Sequence, residues 1–289
     1  MLQRKDVGYL GGLIGVFGNL GIFLLKLYMG IVTSSVSITA DAFHTFSDVG
    51  TSLIVILGFY FSYRAGDREH PYGHGRAEYI ASLLISIILV LVGMEILRDS
   101  YTRLTLQPQI KVSFIFILLL VLTILAKEAM AYIAWRIGKK IESLSLKADA
   151  WHHLSDALTT IGVIVAILLS NYGFYYADTL MGILIAILLI FIGGKIARES
   201  VNKLLGRYNR EIEKIVREEI AAVKGATHVH SIEIHDYGHT YRIAFHVEMD
   251  PSIPLKDAHQ IATEIENRIM TRIPNSKVTV HMEPLSHPQ

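Results

Sequence analysis

A chain of 289 residues that is 52% hydrophobic and only 18% charged is too apolar for an average soluble protein of its length. Its 27 Lys and Arg nearly balance 26 Asp and Glu, and the basic residues are scattered, so nothing in it resembles a nucleic-acid-binding face. With no cysteine, disulfides and thiolate metal sites are excluded; any metal must be held by His, Asp and Glu, and the 13 histidines become the residues to follow.

Six stretches reach the roughly 20 apolar residues that a transmembrane helix requires: Val7–Met29, Val36–Tyr63, Ala77–Leu97, Val112–Trp135, Leu146–Ser170 and Tyr175–Ala197. The first follows a short basic segment and is too long for a signal peptide, so it reads as a retained membrane helix. Its small residues, Gly11, Gly12, Gly15, Gly18 and Gly21, suit close helix packing in lipid. The second and fifth spans are the least apolar, which a bundle tolerates only if their polar residues face its interior. The loops are asymmetric in charge. Arg4 and Lys5, Arg64, Arg68 and Arg76, Arg136, Lys139, Lys140 and Lys147, and Arg198, Lys203 and Arg207 fall on one side. Arg98, Arg103 and Lys111 fall on the other. The positive-inside rule then predicts a multi-pass protein of the inner or cell membrane with both termini in the cytoplasm.

After Gly206 the pattern becomes that of a soluble domain. Glu211–Val223 has helical periodicity, His228–Tyr237 and Tyr241–Asp250 alternate as strands, Leu255–Ile273 is an amphipathic helix and Lys277–Glu283 alternates again. The expected fold is an all-α, six-helix membrane domain over residues 1–206. A small cytoplasmic α+β domain of order α-β-β-α-β, ferredoxin-like, follows over residues 207–289.

The polar residues of the second and fifth spans repeat one another. Ala40-Asp41-Ala42-Phe43-His44-Thr45-Phe46-Ser47-Asp48 is echoed by Ala148-Asp149-Ala150-Trp151-His152-His153-Leu154-Ser155-Asp156. Each span carries a His-x-x-x-Asp pair, His44 with Asp48 and His152 with Asp156, and a spacing of four puts both side chains on one helix face. An Asp at a membrane helix centre costs about 2.5–3.5 kcal/mol, so two such pairs require compensation. Two imidazoles and two carboxylates converging from facing helices make a four-ligand site of the kind that zinc prefers. A polar zipper of His–Asp hydrogen bonds is the alternative, but packing gives no reason for the repeat. Asp41 and Asp149 suit supporting or capping roles, and His153 suits packing beside the ligand face.

Two further clusters follow. The loop after the second span holds Asp67, His70 and His74 at ligand spacing. In the tail, strand parity puts His246 on the polar face of one strand and His281 and Glu283 on that of another, so they converge if those strands are neighbours. His230 falls by parity on an apolar face with Ile232 and Ile234, and His259 lies on the intervening helix.

With six spans, paired motifs in spans two and five and an α+β tail, the chain resembles the cation diffusion facilitator family of metal-efflux transporters over nearly its whole length. That resemblance implies a transport site at His44, Asp48, His152 and Asp156, with the His/Asp combination nearer to zinc-selective than to carboxylate-rich, manganese-type members. It implies a second metal site at Asp67, His70 and His74. It also implies a binuclear zinc site at His230, His246, His259, His281 and Glu283 near the dimer interface of the tail, although family members often carry Asp where Glu283 stands. Related proteins pair an Asp at the end of span six with the basic residue after the loop histidines; here Arg76 is matched by Gly206.

The expected activity is export of a divalent cation, zinc first, from the cytoplasm in exchange for protons. Metal ligands must shed protons to bind, and imidazoles as a class exchange protons near neutral pH. The expected partners are divalent metal ions, the lipid bilayer and a second copy of the chain, with no nucleic acid. Iron, cadmium or cobalt as the main cargo, a metal-gated channel and an intramembrane metallohydrolase are the alternatives. The last would need a general base, usually within His-Glu-x-x-His, and the sequence contains no such motif.

Overall fold

The structure of the protein is a computed structural model, which describes residues 4–32, 36–106, 114–171 and 177–285. Six long helices come first: α1 (Arg4–Val32), α2 (Val36–Ser62), α3 (Ala77–Leu106), α4 (Phe114–Lys140), α5 (Leu144–Asn171) and α6 (Ala177–Leu204). They correspond in order to the six expected spans, but α3, α4 and α6 run past the expected ends. The apolar stretches stop where charges begin, at Arg98, Arg136 and Arg198. A helix need not stop there, because Arg, Lys and Glu are good helix formers whose long stems keep their charges at the interface. The expected starts at Val112 and Tyr175 lie outside the described residues.

Among the described residues, Arg4–Tyr28, Ala77–Thr102 and Ile117–Lys140 are long and apolar enough to cross a membrane. α2 contributes a shorter apolar stretch, Asp48–Ser62, because its first half carries the polar motif. The bundle is inverted in polarity relative to a soluble one. Phe17, Leu57, Leu91, Leu122, Leu184 and Phe191 are exposed, whereas Asn19, Ser52, Lys127, Asp149, His152 and Ser200 are buried. That inversion suits a solvent of lipid, in which backbone groups are satisfied within helices and costly side chains turn inward.

Packing runs α1 on α2, α2 on α3, α4 on α5, α3 on α5 and α1 on α4. Gly15 shows why α1 is rich in small residues: a Cβ there would overlap the Ser52 side chain and stand 3.5 Å from Asp149 Oδ2. Gly21, by contrast, has nothing within 4 Å among the described residues. At one end of the bundle Arg4 Nη2 donates to buried Glu78 at 2.8 Å and Nε donates to the Ile141 carbonyl at 2.9 Å, tying α1 to α3 and to the end of α4.

The tail has the expected order: α7 (Arg210–Ala221), β1 (Thr227–Asp236), β2 (Tyr241–Met249), α8 (Leu255–Arg272) and β3 (Ser276–Pro284). Asn209 caps α7, its side chain accepting from the backbone N–H of Glu211 and Ile212. The sheet order is β1-β2-β3, with β1 antiparallel and β3 parallel to β2; α8 supplies the crossover that a parallel pair requires. Val216 and Ile220 of α7, Ile265 and Ile269 of α8, and Ile243, Phe245 and Val247 of β2 close one core.

The chain divides into two compact units, Met1–Tyr63 with Ala77–Val201, and Arg64–Arg76 with Asn202–Gln289. The loop after α2 and the end of α6 therefore group with the tail, whereas a cut at residues 206/207 had been expected. The reason is a set of contacts at the β1–β2 turn. Arg76 Nε donates to the Asp236 carbonyl at 3.1 Å and its guanidinium lies 4.4 Å from the Tyr237 ring centre. Lys203 pairs with Asp236 at 2.7 Å. Gly75 and Gly238 approach so closely that a Cβ on either would strike the other strand of backbone, and Gly238 has φ +76° as well.

Candidate metal centre

The repeated motif places Asp48 on α2 and His152 and Asp156 on α5, and the packing of the bundle brings them together. Their ligand atoms lie within 4.8 Å of one another. His152 Nε2 stands 3.6 Å from Asp48 Oδ1 and 3.9 Å from Asp156 Oδ2. Tetrahedral zinc with bonds of 2.0–2.2 Å separates its ligands by about 3.3–3.6 Å, close to the two imidazole–carboxylate spacings. At these distances His152 makes no hydrogen bond to either carboxylate, and among the described residues neither ring nitrogen has one. A fully buried imidazole without such partners is unusual and fits a coordinating role. His44 lies four residues before Asp48 on α2, hence one turn away on the same face. Its side chain, like that of Asp41, lies outside the described residues.

Behind this cluster Asp149 is fully buried, 3.4 Å from His153 Nε2 and at 3.5 Å the acceptor of the Ser52 hydroxyl. The supporting role expected of Asp149 has a physical partner in His153, one turn along the same helix.

The residue that the sequence reading overlooked is Lys127 of α4. Its Nζ donates to Asp48 Oδ2 at 2.7 Å and to Asp156 Oδ2 at 2.6 Å, with a side chain only 5% exposed. An ionisable residue inside a membrane span is by default a functional candidate, and that signal was present in the sequence. It went unread because Lys127 belongs to no paired motif.

In the loop, Asp67, His70 and His74 do meet. Asp67 lies 3.6 Å from His70 Nδ1 and 3.5 Å from His74 Nε2, and the two imidazole rings are 4.5 Å apart. Asp67 also accepts the backbone N–H of His70 at 2.7 Å and of Glu69 at 3.1 Å. The His70 N–H is the main reason its carboxyl is held below the usual range, with help from the neighbouring imidazoles.

On the sheet, register does what parity could not. His230 is paired with His246 across β1–β2, and His246 with His281 across β2–β3, so three imidazoles form a row on one face. Glu283 lies 2.7 Å from His246 Nδ1, 3.2 Å from His230 Nε2 and 3.6 Å from His281 Nε2. The hydrogen bond from His246 is the chief cause of its lowered carboxyl pKa. The expectation that His230 faces the apolar side is corrected. Register shifts on both sides of it, with positive φ at His228 and Ser231, break the alternation and turn it toward His246. His259 is exposed on α8 and belongs to none of the ligand groups found among the described residues.

Gly206 has φ +75° just after α6, a left-handed turn that suits glycine. Arg76, its expected counterpart, is engaged within its own chain by Asp236 and Tyr237.

These features have known counterparts. The profile of the cation efflux transmembrane domain matches residues 12–205, and that of the cation efflux protein cytoplasmic domain matches residues 209–285. A transporter of Methanocaldococcus jannaschii is 32% identical over 272 residues, covering 94% of this chain and 96% of its own length. The cation-efflux pump FieF of Escherichia coli is 31% identical over 274 residues, covering 92% of this chain and 89% of the pump. The manganese efflux system protein MneS of Bacillus subtilis is 28% identical over 291 residues, covering 98% and 99%. Members of this family are transporters and not enzymes, which removes the metallohydrolase alternative. Taken with the six-helix bundle and the three-stranded tail, these matches show that the chain belongs to the cation diffusion facilitator family and is a cation-efflux transporter of the membrane.

Proposed function

We propose that the chain exports zinc from the cytoplasm in exchange for protons, at a site made of His44, Asp48, His152 and Asp156. The observation that carries this reading is the convergence of buried Asp48 and His152 with half-buried Asp156 from two helices, with ligand atoms within 4.8 Å and, among the described residues, no hydrogen bond on the imidazole. Mixed nitrogen and oxygen donors suit zinc, whereas an all-oxygen set suits manganese. Asp48 and Asp156 supply the charge that draws a dication out of water. His152, with His44 a turn from Asp48, supplies nitrogen donors that must be deprotonated to bind. Protons arriving from the far side therefore compete for the same atoms and favour release. Rocking of the bundle would expose the site to each side in turn. The basic loops support cytoplasmic termini in the inner or cell membrane.

In the tail, His230, His246, His281 and Glu283 would hold zinc in a structural or sensing role, with His259 supplied near the interface of a homodimer. Their three nitrogens and a carboxylate are a donor set that zinc accepts. Asp67, His70 and His74 would form a third site at the cytoplasmic entrance.

A second reading, manganese export, is favoured by the end-to-end similarity to the manganese efflux protein MneS. Competition of zinc against manganese, iron, cobalt and cadmium in reconstituted vesicles with a set pH gradient separates the two. Zinc export is expected to prevail, with proton uptake counted alongside. Preferential export of manganese, or zinc flux without counter-movement of protons, would overturn the corresponding part of the proposal.

A further inference from the structure

We propose that Lys127 is a tethered cation that competes with the transported metal for Asp48 and Asp156, weakening the site enough for cargo to leave. The inference rests on the transport-site reading above. A zinc ion bound between Asp48, His152 and Asp156 takes an oxygen from each aspartate, and Lys127 Nζ already holds Oδ2 of each at 2.7 and 2.6 Å, including the Asp156 oxygen that lies 3.9 Å from His152 Nε2. A dication and an ammonium repel strongly at such separations in a dry interior, so the two cannot share the pair. Binding the metal therefore means withdrawing the ammonium, and the four-carbon stem of lysine allows the head group to move while α4 stays in place.

The arrangement solves two problems of a carrier. A site with this many charged and nitrogen donors binds too tightly to turn over unless something opposes it, and conduction requires that the ion be able to leave. Once the ion has gone, the buried Asp48 and half-buried Asp156 carboxylates, 79 and 29 residues from Lys127 along the chain, would face each other without a counter-charge. Leaving buried charges uncompensated is strongly unfavourable, and the ammonium prevents it. The side chain is thus a cation that returns with the carrier without crossing the membrane. A purely structural lysine, pinning α2, α4 and α5 together, makes the opposite prediction: its removal loosens the ligands and weakens metal binding.

The test is equilibrium binding of zinc to the purified full chain carrying His70→Ala, His74→Ala, His230→Ala and His246→Ala, so that the membrane site is read apart from the loop and the sheet. Lys127→Met, which keeps the stem and removes the charge, is expected to lower the zinc Kd by about tenfold or more, whereas Lys127→Arg keeps the charge and stays close to the parent value. If Lys127→Met does not fold, Lys127→Gln serves in its place with the same expectation. An unchanged or raised Kd in the uncharged variant overturns the inference. Asp156→Ala in the same background separates the two levels. If it still binds zinc as the parent does, the transport-site reading itself fails. If it loses zinc while Lys127→Met gains nothing, only the role of the lysine fails.

Discussion

The membrane cluster and the sheet cluster use the same ligand types in opposite surroundings. Asp48, Lys127 and His152 have side chains 8%, 5% and 4% exposed, and their meeting is set by packing among α2, α4 and α5. On the sheet, His230, His246 and Glu283 are 44%, 39% and 31% exposed, and their meeting is set by strand register. Where water is scarce, each charge must be answered by another side chain, so the group behaves as a unit. Where water is present, it replaces a lost partner, and each residue can be removed at modest cost.

That contrast can be broken most severely at Asp156. Replacing it by Ala leaves Lys127 with one carboxylate and should cost transport on the order of 100-fold or more, since loss of even the supporting partners of a metal ligand costs 10–100-fold. Zinc flux into proteoliposomes measures it, and near-normal flux would sink the site. Next in size is packing. Phe245 is fully buried in the tail core and Phe191 is 68% exposed on α6. Phe245→Ala should destabilise the tail by about 3–5 kcal/mol, whereas Phe191→Ala should change bundle stability by less than about 0.5 kcal/mol. Unfolding of the full chain by denaturant, followed separately in each unit, reads both; equal effects would mean that the outer face of α6 is packed and not lipid-facing.

A smaller effect is expected from His246→Ala. Zinc affinity at the sheet should fall about 10–100-fold, while the zinc KM for transport stays within about twofold, as independent sites act additively. A large change in KM would show the two clusters to be coupled. The smallest is a pH effect at Glu283, whose carboxyl lies below its ordinary value of 4.5 chiefly through His246. A depressed carboxyl contributes stability that is complete above the ordinary value and is lost as pH falls through the lowered one. Glu283→Gln should therefore lower tail stability slightly at neutral pH and flatten its acid limb below pH 4.5, so that variant and parent converge in acid when unfolding is followed across pH.

Much of this was legible from residue order. Apolar length gave the six helices, the duplicated His-x-x-x-Asp gave the faces that meet, and alternation gave the tail strands. Parity failed at His230 because a bulge is a departure from regular pairing that no repeat of two residues encodes. Convergence of His246 with His281 was conditional in the sequence, since parity assigns faces but not neighbours. Lys127 was missed for a different reason: its partners lie on other helices, and only packing reveals that one ammonium answers two distant carboxylates. The grouping of the loop at residues 64–76 with the tail was likewise hidden, resting on Arg76 and Tyr237, far apart in the chain.

The most direct measurement is a zinc-edge anomalous difference map from crystals of the full chain grown with zinc. The account predicts a peak between α2 and α5, about 2.0–2.2 Å from an Asp48 oxygen, an Asp156 oxygen and His152 Nε2, with Lys127 Nζ withdrawn from both carboxylates. Zinc confined to the loop and the sheet, with Lys127 still bridging Asp48 and Asp156 at saturating metal, would contradict it.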